Sequence, residues 1–111
     1  MKFIAYRKGT AMIRDKWYIS EEYKNTNIAI LFDNLSALRA RIGITKEELA
    51  SVLGISRQTY YAIENGNRKM SWSMFLAILF FFDNIIETSE MLKELRIYPV
   101  DLMIRFNKQN T

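Results

Sequence analysis

The chain has 111 residues, 16 Lys+Arg against 12 Asp+Glu, and neither Cys nor His. That double absence excludes zinc fingers, disulfide scaffolds and any Cys or His nucleophile or base. The length suits one domain, the 50 % apolar content is enough for a core, and one Pro with four Gly leaves little room for turn-rich β architecture or linkers.

The first 26 residues carry two β-forming runs, KFIAYR and MIRDKWYIS, separated by KGTA. They read as a β-hairpin or an irregular arm, although MIRDKWYISEEYK also has a helical reading. There is no sustained apolar h-region, so no signal peptide is read and a cytoplasmic location is expected. Residues 1–32 hold six positive and three negative side chains, residues 33–83 six and five, and residues 84–111 four and four. The basic surplus therefore lies in the first third, as an arm adding backbone contacts to a nucleic acid would have it.

From Asn27 to Ile42, apolar residues Ile28, Leu31, Leu35, Leu38 and Ile42 recur every three or four positions, predicting a helix that Gly43 stops. Thr45 and Glu48 form a capping box opening a second, short helix with Leu49, Ala50, Val52 and Leu53 inward, ended by Gly54. Ser56 caps a third helix running to about Glu64, and Asn65-Gly66 stops it, both residues tolerating positive φ. The polar, basic loop NGNRKM follows, then a fourth helix capped by Ser71 through the apolar run Met74–Phe82, which Asp83-Asn84 breaks. That run is nine residues, far short of the about 20 a membrane span needs. Trp72, Phe75, Phe80, Phe81 and Phe82 are expected in the core, but three consecutive Phe cannot all face one way on a helix. Ser89 is expected to cap a short helix EMLKELR, Pro99 to break the chain near Tyr98, and Asp101 to sit in the first turn of a last helix.

The stretch Thr45 to Ala62, TKEELASVLGISRQTYYA, is two short helices joined by a turn with one Gly. Ala50 is the small residue at their close crossing, Gly54 the left-handed turn, and Ile55 and Ile63 plug the core beneath. Helices this short must lean on those flanking them, 27–42 and 71–82, which makes a helix-turn-helix with its support.

The segment LRARIGITKEELASVLGISRQTYYAIENGNRKMS resembles the Cro and C1 repressor type of helix-turn-helix, the Xre family, over roughly residues 33–83. The resemblance implies a mainly α, lambda-repressor-like five-helix domain over 27–88, with a 1–26 arm or β-hairpin and an 89–111 helical extension that can serve dimerisation. It implies an operator-binding transcriptional regulator, a repressor acting as a homodimer on double-stranded DNA, with no catalytic residue, metal or cofactor. Arg57, Gln58, Tyr61 and Ala62 then face bases in the major groove: Arg57 can pair with guanine O6 and N7, and Gln58 with adenine N6 and N7. Lys46, Ser56, Thr59, Asn65, Asn67, Arg68 and Lys69 fall where the family contacts the DNA backbone. Lys46 stands where the family often has Gln, and can hold a phosphate but cannot accept a bracing hydrogen bond. Tyr60 replaces a β-branched residue and is expected to be partly buried. Glu64 is structural in the family, with Arg39 or Arg41 as its partner, although those arginines also read as solubilising the first helix. With the aromatic residues of the fourth helix, Ile85, Ile86, Met91, Leu92, Leu95, Leu102, Met103, Ile104 and Phe106 make more apolar surface than one small bundle needs, as a dimer interface would. The alternative reading is an antitoxin-like protein that binds a toxin partner through its terminal segments and represses its own promoter.

Overall fold

The computed structural model describes residues 3–5, 12–97 and 106–107. The expected break at Tyr98-Pro99 and the helix opened by Asp101 lie outside them. Strand β1 (Phe3–Ala5) pairs antiparallel with β2 (Met12–Arg14), with Ile4 opposite Ile13, the strand pairing that a hairpin requires. A 3-10 turn over Asp15–Trp17 follows.

Helix α1 spans Glu21–Ile42, beginning six residues ahead of the expected Asn27 and inside the segment read as arm. The apolar stripe starts at residue 28, but the start signal lies upstream. The Ser20 hydroxyl accepts the Tyr23 N–H at 3.1 Å, and Glu21 and Glu22 occupy the first turn, where carboxylates favour the helix dipole. Asn27 is buried within the helix and donates to the Tyr23 carbonyl at 2.8 Å.

Helices α2 (Lys46–Leu53), α3 (Arg57–Glu64) and α4 (Trp72–Asp83) are capped by Thr45, Ser56 and Ser71, as the sequence predicts. The capping box is complete. The Glu48 N–H donates to Thr45 Oγ1 at 3.0 Å, and the Thr45 N–H donates to Glu48 Oε1 at 2.9 Å. Asn65 stays right-handed at φ −87°, so only Gly66 takes the positive φ at that stop.

Helix α5 (Ile86–Glu94) corrects the Ser89 expectation. Ser89 lies inside the helix and donates to Asp83 Oδ1 at 2.8 Å. Ile85 is the capping residue, without a side-chain bond. The buried Thr88 hydroxyl donates to the Phe82 carbonyl at 2.6 Å, tying α5 to the end of α4. That tertiary bond fixes the helix start where a local cap would otherwise have done so.

The core gathers Leu31, Leu35 and Leu38 of α1, Leu49 and Ala50 of α2, Tyr60 and Ile63 of α3, and Phe75, Ile78 and Phe82 of α4. Each large apolar side chain so buried contributes about 1.5–3 kcal/mol. Ile55 and Leu53 pack against this cluster partly buried. Phe80 is the outward member of the Phe triplet, 72 % exposed. Among the described residues, no helix is long and apolar enough to cross a membrane.

The α2–α3 turn depends on Gly54, whose φ is +74°. A Cβ there would meet nothing within 4 Å, so the penalty for adding one is conformational alone. Gly54→Ala should therefore destabilise by about 1–2 kcal/mol, the left-handed penalty of an L-residue, and lower the thermal midpoint. An unchanged midpoint would show that the turn relaxes.

Candidate nucleic-acid interface

The side that α3 presents outward follows from the side it buries. Tyr60 and Ile63 pack into the core. At 3.6 residues per turn, Gln58, Tyr61 and Ala62 then lie on the opposite side, with Arg57 at its edge. Arg57, Gln58 and Tyr61 are exposed, and Ala62 is half-buried. The loop residues Asn65, Asn67, Arg68 and Lys69 are exposed beyond the end of the helix. The Arg68 N–H donates to the Ala62 carbonyl at 3.0 Å and the Asn67 N–H to Asn65 Oδ1 at 2.9 Å, which gives the loop a defined path. Ser56 and Thr59 are committed to the cap: the Thr59 N–H donates to Ser56 Oγ at 3.0 Å, and the Ser56 hydroxyl to Thr59 Oγ1 at 2.8 Å.

An ionic network beneath this surface holds α1, α2 and α3 together. Arg39 donates to both oxygens of Glu64, at 2.9 and 2.7 Å, and a third, longer bond reaches the Ile44 carbonyl at 3.4 Å. The partner of Glu64 is thus Arg39, a half-buried structural residue and not a solubilising one. Arg41 instead lines a surface hollow with Glu87, Glu90 and Glu94 of α5. The Tyr60 hydroxyl donates to Glu64 Oε1 at 2.6 Å from a fully buried ring, deeper than expected. Burial, reinforced by the Glu64 carboxylate, pushes that phenol far up and keeps it protonated. Burial pushes the Glu64 carboxyl up as well. Hydrogen bonds from Arg39 and Tyr60 and the charges of Arg39 and Lys46 outweigh it, leaving Glu64 below the usual carboxylate range. Lys46 Nζ stands 3.9 Å from Glu64 Oε2 and 5.2 Å from the Tyr61 ring centroid. It braces α2 against α3 by charge, where a Gln would do so by hydrogen bonding.

Residues 35–78 match the family model described as Helix-turn-helix. They form a helix-turn-helix domain. No curated protein and no solved structure matches the chain. That domain supports a DNA-binding transcriptional regulator. The match opens in the second half of α1 and closes within α4, so it takes in the whole network from Arg39 to Glu64 and every candidate contact residue.

One member of the surface was not singled out by sequence. Glu47, in the first turn of α2, accepts a hydrogen bond from the Tyr61 hydroxyl. In sequence it reads only as a carboxylate favouring a helix start. Its partner lies fourteen residues away across the turn, and no local pattern marks that pairing.

Proposed function

We propose that this protein is a cytoplasmic, sequence-specific repressor that occupies its operator as a homodimer. The observation that carries the reading is the one-sided α3: a recognition helix bolted inward through Tyr60, Ile63 and Glu64, with Arg57 and Gln58 exposed opposite. Arg57 and Gln58 read base edges, with Tyr61 and Ala62 beside them. Lys46, Asn65, Asn67, Arg68 and Lys69 hold phosphates and supply affinity and salt dependence, and the Thr59 hydroxyl hydrogen, which the cap does not use, can join them, whereas Ser56 spends its own on Thr59 and serves the cap. The N-terminal hairpin adds backbone contacts through its basic surplus. Self-association is supported by Leu76 and Phe80, four residues apart on one face of α4 and 43 % and 72 % exposed, and by Ile86, 77 % exposed at the start of α5.

Selection from a random duplex pool tests the whole reading. Enriched sequences should carry two-fold related half-sites about one helical turn apart. No enrichment ends the reading, and enriched single half-sites remove the dimer. Phe80→Asp should leave the fold intact, since exposed substitutions usually shift stability by no more than about 0.5 kcal/mol. It should turn a dimer into a monomer in sedimentation and weaken operator binding. Unchanged sedimentation would move the interface elsewhere.

A further inference from the structure

The outward side of α3 is fastened to the first turn of α2. Tyr61 is 37 % exposed, yet its hydroxyl donates to Glu47 Oε2, and the Lys46 ammonium lies over its ring. Arg57 is close enough to both Glu47 and Tyr61 to act on them electrostatically. A carboxylate therefore stands among Lys46, Arg57 and Tyr61, three of the side chains that face DNA in the reading above.

A negative charge there repels phosphate whatever the base sequence. What it gives in return is order. The Tyr61 ring is held at its hydroxyl by Glu47 and at its face by Lys46, two independent attachments on the neighbouring helix. A side chain fixed before binding loses less entropy on binding than a free one.

We infer that Glu47 is a positioning residue for DNA recognition: it holds Tyr61 under Lys46 in the arrangement that meets the groove, while its charge weakens binding to every sequence alike. The positioning raises the ratio of specific to non-specific affinity, the quantity that selects one site among many, while the charge lowers both affinities together and leaves that ratio unchanged. The inference rests on the DNA-binding reading.

Three variants separate charge from hydrogen bonding. Glu47→Gln keeps an acceptor and removes the charge, Glu47→Ala removes both, and Tyr61→Phe keeps the ring and removes the donor. On random duplex, both Glu47 variants should bind about threefold to tenfold tighter than wild type, through the lost repulsion of phosphate. On the selected operator, Glu47→Gln should keep the operator-to-random ratio, whereas Glu47→Ala and Tyr61→Phe should lose about tenfold of it. An equal ratio in all three variants overturns the positioning role. A DNA-free measurement accompanies these. The Glu47 bond holds the Tyr61 phenol above its ordinary value, so its titration, followed by NMR of labelled tyrosine, should move down in Glu47→Ala. An unmoved titration overturns the inference whether or not the protein binds DNA. A wild type that binds no duplex ends the DNA reading and the positioning role with it, and the titration still reports the contact.

Discussion

Glu64→Gln should destabilise the fold by about 2–3 kcal/mol at neutral pH. Exposed ion pairs contribute at most about 1 kcal/mol, whereas breaking a buried pair costs about 3–5 kcal/mol, because one charge is left buried without its counter-charge. The Arg39 and Glu64 side chains are 15 % and 12 % exposed and joined by two short bonds, which puts the pair between those limits and nearer the buried one. For a chain of this size the thermal midpoint should fall by roughly 10 °C. The pH dependence distinguishes this mechanism from a packing defect. Glu64 is held below its ordinary value of 4.5 in the folded protein. Its contribution is thus present above that ordinary value and is lost as pH falls through the lower, folded one. The gap between wild type and Glu64→Gln should be widest near neutrality and narrow once pH drops below about 4.5. A gap that stays constant into acid would mean that the carboxylate charge is not what holds α1 to α3.

Why the sequence led to Glu64 but not to a single partner is a matter of helical phase. Arg39 and Arg41 flank the Leu31–Leu35–Leu38 stripe at comparable angles on opposite sides, so periodicity alone does not choose between them. The choice falls to the side on which α3 packs, and that is a tertiary fact. The same division runs through the chain. Thr45, Ser56 and Ser71 were legible because a capping hydroxyl bonds the N–H three residues on, within one turn. Gly54 was legible because a left-handed turn between two short helices has few other solutions. Ser89 misled because it looks like such a cap, while Thr88 reaching the Phe82 carbonyl and Ser89 reaching Asp83 decide where α5 starts. The α1 start is not marked by the apolar stripe, because that stripe begins about two turns after the Ser20 cap. The recognition surface was legible as a list of positions on one side of a helix. The Glu47–Tyr61–Lys46 arrangement was not, because each member looks like an ordinary solvated residue until the two helices are set side by side.

Arg57→Ala should cost roughly 1–3 kcal/mol on the selected operator, about fivefold to 150-fold in affinity, and should relax preference at one base position. Arg57 opens α3, is exposed, and its side chain makes no hydrogen bond to the fold among the described residues. Removing it leaves the Ser56 cap and the core in place, so the loss should appear in binding and not in the thermal midpoint. Lys69→Ala is the control with the opposite signature. A cation that meets phosphate contributes to every duplex, so its loss should weaken operator and random DNA alike and lower the salt slope by about one. The two variants together separate reading from holding. Should Arg57→Ala weaken operator and random duplex by the same factor, Arg57 would be a phosphate contact. The sequence choice would then rest on Gln58, Tyr61 and Ala62, the remaining outward residues of α3.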